Sequence, residues 1–379
     1  MPRNSRSGRA MSPALERRSG RLLAGPIACV VIMSGTGLGS ASCQFAAPGH
    51  VGPALDNFDG RRFANQAPVQ PKSFRDLLRW GRQRRPGHWR PYEEHPYGPA
   101  PPGAVGKGAL RVTFINHSTV LLQLDGLNLL TDPIYSMRAS PVRFAGPRRA
   151  RNPGIRFEDL PTIHGVLLSH NHYDHLDLPT LRRLHKAHKP WILTGLGNGR
   201  LLAKAGIPGA RELSWWDEVE VDRGVRVRFV PAQHWSGRGL SDRARTLWGG
   251  FVVAGSRHLT YFAGDTGFGP HFTQIRARYG TPDLALLPIG AYRPRWFMKD
   301  MHLDPAEAVE AHRQLGARLS VPIHFGTFPL GDDGQDAPVE ELVLARAAAG
   351  LPDGACVVLG FGEGRDVRPK AIERSLRGL

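Results

Sequence analysis

Residues 170–175 read His-Asn-His-Tyr-Asp-His, and this motif constrains the fold more than any other part of the chain. It directly follows residues 165–169, an apolar run typical of a buried strand. In an extended loop, residues two apart point the same way, so His170 and His172 can bind one metal ion together. Asp174 and His175 follow as the chain turns, and we expect them to reach a neighbouring position. Imidazole and carboxylate without thiolate suit Zn, Fe or Mn.

Three more candidate ligands each stand at or just beyond the end of an apolar strand. His234 follows residues 225–230, Asp265 follows residues 259–263, and His324 ends the run 319–324. The expected arrangement places His170, His172 and His234 on one ion, Asp174, His175 and His324 on a second, and Asp265 between the two ions. A hydroxide shared by the ions would be the nucleophile of a hydrolase, because a bound metal lowers the pKa of water to about 7. Two Zn²⁺ ions are therefore the expected cofactors, with Fe or Mn as alternatives.

Short apolar runs that end in Asp, Gly or His predict many strands beyond Leu110. They cover residues 111–116, 119–124, 127–131, 165–169, 225–230, 247–253, 259–263, 284–288 and 319–324. Helices are predicted over residues 177–188 and 305–315, the second with Asp304 as its N-cap and Glu307 completing a capping box. Mixed strands and helices over this length predict an α/β fold, a four-layer α/β/β/α sandwich with the metal site at one edge.

Composition bounds the class of protein and its partners. The chain has 379 residues, of which 41% are hydrophobic, so it can bury a sizeable core. Its net charge is +17, but residues 1–100 alone contribute +9, so the body is only mildly basic. Because the body has no zinc-finger spacing, RNA-binding signature or Lys/Arg run, we expect no nucleic-acid partner. The three cysteines are too few and too scattered for a disulfide framework.

Residues 1–43 have the pattern of an export signal. Arg17, Arg18 and Arg21 precede the apolar residues 22–33, and small residues follow up to Cys43. The apolar part is too short and too rich in Gly for a transmembrane span, and Cys43 resembles the lipidated cysteine of a bacterial lipoprotein. We expect an exported protein associated with the membrane of a bacterial cell envelope. Simple cleavage, or a cytoplasmic protein whose start codon is placed too far upstream, stays open.

Residues 44–108 are rich in Pro, Gly and Arg, which predicts an extended arm in front of a catalytic domain at 109–379. One piece of this arm has the pattern of a short basic amphipathic helix. Its apolar face consists of Phe74, Leu77 and Leu78. The basic residues around that face are Arg75, Arg79 and Arg82. The helix predicts contact with a membrane surface. The alternative is a helix packed on the domain with its arginines in solvent.

Other catalytic classes lack support in the sequence. No G-x-S-x-G segment offers a serine nucleophile. Residues 195–199 do not match the dinucleotide fingerprint and predict a turn. Tyr173, between two candidate ligands, and His302, ahead of the second predicted helix, are candidates for substrate contact. Either residue can equally have a structural role.

The metal motif, together with His234, Asp265 and His324, resembles the metallo-β-lactamase superfamily. Longer stretches resemble the N-acylphosphatidylethanolamine-hydrolysing phospholipase D family and its bacterial relatives. These stretches are residues 130–134, 138–141, 169–177, 233–235, 262–267, 289–292, 295–298 and 323–328. The resemblance runs from about residue 58 to about residue 364.

This resemblance implies cleavage of a phosphodiester of N-acylated phosphatidylethanolamine to phosphatidic acid and an N-acylethanolamine. It implies the same seven metal ligands, with Tyr173 and His302 contacting the phospholipid and with Asp265 and His302 as catalytic residues. The residues alone stop at two-metal hydrolysis, because lactones, thioesters, amides and phosphodiesters all suit a bridging hydroxide. A soluble hydrolase of small esters or sugar-phosphate lactones and a non-catalytic lipoprotein are the alternatives, and a homo-oligomer stays open. An apolar channel beside the metals would favour lipid.

Overall fold

Two mixed β-sheets form the body of the protein in this computed structural model, which describes residues 45–70 and 72–368. The expected export segment, with Cys43, lies outside the described residues. The first sheet consists of β1 (Leu110–Asn116), β2 (Thr119–Leu124), β3 (Leu127–Thr131), β4 (Gly165–Leu168), β5 (Trp191–Gly195), β6 (Arg211–Leu213) and β13 (Gly364–Val367). Its seven strands are ordered β13-β1-β2-β3-β4-β5-β6, and β3 to β6 run parallel.

The second sheet has six strands. They are β7 (Glu218–Glu220), β8 (Arg226–Val230), β9 (Gly250–Ala254), β10 (Leu259–Phe262), β11 (Leu284–Pro288) and β12 (Leu319–Ile323). Their order is β12-β11-β10-β9-β8-β7, and β10, β11 and β12 run parallel. Since parallel strands end at the same edge of a sheet, the residues that follow these strands are brought together.

Described helices pack on both sheets. The described helices are α1 (Phe74–Gln83), α2 (Leu178–His188), α3 (Gly199–Lys204), α4 (His271–Tyr279), α5 (Arg295–Met298), α6 (Pro305–Leu315) and α7 (Ala337–Ala348). Helix α1 packs on α5. Phe114 of β1 belongs to the large core between the sheets, whereas the next residue, Ile115, packs in a second core with Leu181 and Leu184 of α2. This alternation is the two-residue period of a strand that is buried on both faces. The predicted four-layer α/β/β/α sandwich is confirmed.

The ends of the predicted helices follow local chemistry. Helix α6 begins where the capping box predicts, because Asp304 accepts from the backbone N–H of Glu307 and the Glu307 side chain accepts from the N–H of Asp304. It stops at Gly316, whose φ of 62° is readily adopted by glycine. Helix α2 begins at Leu178, one residue later than predicted, and the carboxylate of Asp177 accepts from Ser136 and Thr180 instead.

The predicted strand at 247–253 begins later, at Gly250. The backbone N–H of Leu247 donates to the carbonyl of Leu196 at 2.8 Å, and that of Gly249 donates to Ser169 at 3.0 Å. Residues 247–249 therefore bond to loops of the first sheet, and this keeps them out of the ladder of the second sheet.

The arm has one helix, α1, and is otherwise mostly irregular in its described part, yet it is bound to the body. Phe58 and Phe63 join the large core with ring centroids 4.5 Å apart. Trp80 of α1 stacks on Phe297 at 4.8 Å and donates from Nε1 to Asp332 at 3.0 Å. Within 45–70 and 72–368, no helix is both long enough and apolar enough to cross a membrane.

Candidate metal centre

Three histidines that follow strands β4 and β8 form the first donor set, which consists of His170, His172 and His234. Nε2 of His170 lies 2.8 Å from Nδ1 of His172, which in turn lies 3.3 Å from Nε2 of His234. Ligand atoms of the set all lie within 4.8 Å of one another. The structure therefore places these three residues together, as the sequence predicted.

Neighbouring groups fix which nitrogen of each ring is available. Nδ1 of His234 donates to the carbonyl of Met301 at 3.0 Å, which leaves Nε2 as the lone-pair nitrogen. Nδ1 of His170 lies 2.9 Å from the hydroxyl of Ser169, so its Nε2 also points into the set. Such partners orient the rings and raise the basicity of the nitrogen that would hold a metal.

Asp174, His175 and His324 form the second donor set. Oδ2 of Asp174 lies 3.1 Å from Nε2 of His175 and 3.3 Å from Nε2 of His324. His117 joins this group, with its Nε2 only 2.9 Å from Oδ2 of Asp174. Nδ1 of His175 donates to Asp132 at 2.6 Å, which fixes the ring with Nε2 facing the set.

Asp265 lies between the two donor sets. Its Oδ2 is 3.1 Å from Nε2 of His324, 3.2 Å from Nε2 of His175 and 3.8 Å from Nε2 of His234. This position agrees with the bridging role expected from the sequence. All seven predicted ligands therefore converge on one edge of the sandwich.

The two donor sets differ in charge. Burial lowers the pKa of His172 and of His234 to about 3, so the first donor set is neutral. In the second donor set, burial lowers the pKa of His324 but Asp265 and Asp174 raise it more, to about 9. Burial alone would raise the pKa of Asp265, but His175 and His324 lower it well below its usual value. The carboxylates around the second donor set therefore need positive charge nearby.

These residues fit a pair of metal ions. Oδ1 of Asp265 is buried and makes no hydrogen bond, and a buried polar atom without a partner is costly. The first donor set offers three neutral imidazoles, and the second offers imidazoles with carboxylates, which are ligand types of zinc sites. Ions at both sets would give this oxygen a partner and neutralise the buried carboxylates.

Sequence reasoning missed two residues of this centre, His117 and Asp132. His117 directly follows β1, and Asp132 directly follows β3. The same signal identified His234 and Asp265, since each of them also stands beyond a strand. Applied to every strand of the first sheet, that signal would have found both missing residues.

His302 and Tyr173 lie on different sides of the centre. Nδ1 of His302 is 3.9 Å from Oδ2 of Asp265, and its ring lies 5.1 Å from that of His234. The hydroxyl of Tyr173 donates to the carbonyl of Arg238 at 3.1 Å, and its ring packs near Phe328. The structure therefore brings His302 to Asp265 and His234, and Tyr173 to the flank formed by Arg238 and Phe328.

An apolar pocket of about 430 Å³ opens beside the first donor set. His172, His234 and His302 form its inner end. Its walls come from the arm and from the segment around α5, and they include Val69, Phe74, Leu77, Leu78, Trp80, Phe297, Met298 and Met301. Cationic side chains of Lys72, Arg82 and Arg243 also line it. Tyr173 is absent from the described residues that line this pocket.

Comparisons with known proteins agree with this fold. The family model of the beta-lactamase superfamily domain matches residues 127–325, which is more than half of the chain. The chain belongs to the metallo-β-lactamase superfamily. A metallo hydrolase from the archaeon Ignicoccus hospitalis has the same fold, with a TM-score of 0.53 and 21% identity over 69% of this chain and 100% of that one.

Two curated relatives are more similar in sequence. An uncharacterized protein of Mycobacterium tuberculosis is 44% identical over 62% of this chain and 64% of its own length. The N-acyl-phosphatidylethanolamine-hydrolyzing phospholipase D 1 of Caenorhabditis elegans is 42% identical over 59% of this chain and 66% of its own length. The match thus spans just under two thirds of the length of both relatives.

Proposed function

We propose that this protein is a metal-dependent hydrolase that cleaves a phosphodiester of N-acylated phosphatidylethanolamine or a related phospholipid. The observation that carries the proposal is the apolar pocket beside the first donor set. A hydrolase of small polar esters would need polar groups around its substrate, whereas these walls are mostly aromatic and aliphatic. The name of the relative from Caenorhabditis elegans supports the same substrate.

The pocket suits a substrate with an acyl chain and an anionic group. Leu77, Phe297 and Met298 offer apolar contact, and burying a methylene stabilises binding by about 0.8 kcal/mol. Arg243 lies over the ring of Trp235 at 3.9 Å, and its pKa is lowered by burial and by Arg62. A cation in that position attracts the phosphate of a phospholipid.

The residues of the chain divide the work of hydrolysis. Metal ions held by the two donor sets would polarise the phosphoryl group and supply hydroxide near neutral pH. Burial lowers the pKa of His302 to about 3, so its ring is neutral, and Nδ1 makes no hydrogen bond. A neutral imidazole beside Asp265 can donate a hydrogen bond to the phosphodiester and orient it. The apolar walls keep bulk water away from the inner end.

Turnover of two substrate types tests the proposal. Metal-loaded protein is incubated with vesicles that contain N-acylated phosphatidylethanolamine, and with short-chain esters and lactones, and products are identified by mass spectrometry. We expect phosphatidic acid and N-acylethanolamine. Leu77→Asn should raise KM for the lipid about 10-fold, the equivalent of about 1.4 kcal/mol, whereas Leu344→Asn on α7 should not. Faster turnover of a lactone, unaffected by Leu77→Asn, would contradict the proposal.

We also propose that the mouth of this pocket rests on a membrane surface. Phe74 and Leu78 of α1 are 66% and 39% exposed, and Trp296 beside them is 37% exposed. Arg79 lies over the ring of Trp296 at 4.5 Å, and Arg75 and Arg82 are exposed on the same helix. Apolar side chains among cations suit an anionic bilayer, where each basic residue contributes about 1 kcal/mol. Lipidation at Cys43, as expected from the sequence, would add a second anchor.

Co-sedimentation with vesicles that contain anionic lipid tests this surface. The double variant Phe74→Ser with Leu78→Ser should bind vesicles at least about 10-fold more weakly. Leu344→Ser removes an exposed leucine from α7 and should bind like the unaltered chain. Equal binding by all three proteins would show that α1 does not contact the bilayer.

A further inference from the structure

Asn65 of the arm contacts the metal centre through its side chain. Its Oδ1 accepts the backbone N–H of His234 at 3.0 Å, and its Nδ2 donates to the carbonyl of the same residue at 2.8 Å. We propose that Asn65 is a positioning residue for His234 and that the arm is thereby part of the metal centre. The inference rests on metal binding by the first donor set, and not on the identity of the substrate.

His234 depends on this contact because of where it lies. It stands in the irregular segment between β8 and β9, where no sheet ladder binds its peptide groups. Asn65 supplies one acceptor and one donor to that residue, as a neighbouring strand would. A side-chain amide offers a donor and an acceptor on two separate atoms of one short side chain. The other support of His234 is the bond from its ring Nδ1 to Met301.

Two further bonds make the contact rigid. Nε1 of Trp248 donates to Oδ1 of Asn65 at 3.0 Å, which fixes the amide from the side of the sandwich. Nε2 of Gln233 donates to the carbonyl of Ala67 at 3.0 Å, which joins the same two segments a second time. Both bonds lie next to the Asn65–His234 pair, so the amide and the ligand are held in one orientation.

The contact also links the metal centre to the pocket wall. From Ala67 the arm continues to Val69 and then to α1, whose Leu77 lines the pocket. The matched family domain covers residues 127–325 and does not contain Asn65. A ligand of the first donor set is thus supported from a segment outside that domain. The supporting residue, Asn65, and the pocket wall of α1 belong to one stretch of chain.

Zinc affinity of the full chain tests the proposal without any substrate. Affinity is measured by competition with a chromophoric chelator for the unaltered chain, Asn65→Ala and Asn65→Asp. Loss of an outer partner of a ligand typically weakens metal binding about 10–100-fold, and we expect this for one ion in Asn65→Ala. Asn65→Asp keeps the acceptor and loses the donor, so we expect a smaller loss. Thermal unfolding of each metal-free protein is recorded in parallel.

Two control variants separate positioning from a general loosening of the arm. Asn57→Ala alters an asparagine of the same arm whose Nδ2 makes no hydrogen bond. Arg84→Ala breaks the ion pair with Asp332 at 2.7 Å and loosens the other end of α1. We expect zinc affinity within about twofold of the unaltered chain for both, since neither residue touches a ligand.

Three results would overturn the inference. The first is Asn65→Ala binding zinc like the unaltered chain while its metal-free form melts at a lower temperature. The second is Arg84→Ala weakening zinc binding as much as Asn65→Ala does. The third concerns the case in which Asn65→Ala does not fold. Asn65→Asp retains two of the three hydrogen bonds of the amide, and normal zinc binding by this variant would then overturn the inference. None of these results depends on phospholipid turnover, so failure of the proposed substrate would be recognised separately.

Discussion

The first donor set is built from three imidazoles, whereas the second combines imidazoles with the carboxylate of Asp174 and lies against Asp132 and Asp265. The first set is neutral, and one of its ligands is held by the arm through Asn65. The second is charged and is supported from within the sandwich by His117 and Asp132. The first set is therefore suited to an ion by the orientation of its neutral rings, whereas the second is suited to an ion by the negative charge of its carboxylates. Asp265 lies between the two sets, so its replacement should change the metal centre most.

Replacing Asp265 should have the largest effect. Asp265→Asn removes the charge between the two donor sets, and a neutral amide bridges two cations poorly. We expect the fold to persist, the ion of the second donor set to be lost, and kcat to fall by at least about 100-fold. Elemental analysis and turnover measure both. Asp283→Asn, a buried carboxylate at the opposite ends of the strands, should keep the metal, and equal metal loss in both variants would refute the bridging role.

His302→Ala should reduce catalysis without touching either donor set. The side chain lies 3.9 Å from Asp265 and lines the pocket, and in the proposed mechanism it contacts the substrate rather than an ion. We expect kcat to fall about 100-fold, the lower end of what a positioned proton-transfer or hydrogen-bonding group supplies. Metal content should match that of the unaltered protein. A variant that loses metal would instead make His302 a ligand or a support of one.

His117→Asn should affect the second donor set alone. Its Nε2 contacts Asp174 at 2.9 Å, so its loss frees a carboxylate that must hold an ion. We expect about 10-fold weaker binding of one ion and an unchanged affinity for the other. His312→Asn alters a buried histidine that bonds to Ser320 instead, and its zinc titration should match the unaltered protein. Weakening of both ions by His117→Asn would show that the sets are not separate.

Proton release on zinc uptake should be the smallest signal, and it separates the sets directly. Since the pKa of His324 is raised to about 9, its ring carries a proton at pH 7.5 in the metal-free protein, and the pKa of His175 is also raised well above its usual value. An ion must displace the proton of His324, so the affinity of the second donor set falls as pH drops below about 9. The first donor set, with pKa values of about 3 for His172 and His234, should release none.

Calorimetry in buffers of different ionisation enthalpy measures this release. We expect proton release at pH 7.5 from the second donor set and from the water that the ions convert to hydroxide. His324→Ala should release about one fewer. A release that is unchanged in this variant would contradict the charge difference between the sets.

Local patterns predicted most of the body. The strands at 119–124, 127–131 and 284–288 and the helix at 305–315 have the predicted bounds, because each has a clear apolar run or a capping box. Strands β5, β6, β7 and β13 were not predicted. Three of them, β6, β7 and β13, are segments of three or four residues, which carry little periodicity. Helices α3, α4, α5 and α7 were missed as well. The start of α4 at Pro270 has no side-chain cap, so the usual signal is absent.

The candidate site was predictable where ligands lie close in sequence or follow strands. His170, His172, Asp174 and His175 share one short loop, and His234, Asp265 and His324 follow strands. The contribution of the arm was not predictable. Asn65 lies 169 residues from His234 and reaches it through a side chain bonded to backbone, which leaves no periodic pattern. The expected helix α1 is present. It docks through Trp80, which leaves Phe74 and Leu78 exposed, and the sequence pattern alone did not predict which of its apolar side chains would be buried.

The central claim is that two separate donor sets hold two ions side by side. The most direct measurement is the number of zinc ions bound per chain, by elemental analysis, in the unaltered protein and in single variants of each set. We predict about two ions for the unaltered protein and about one for both His172→Ala and His175→Ala. One ion or none in the unaltered protein, or two ions retained in either variant, would contradict it.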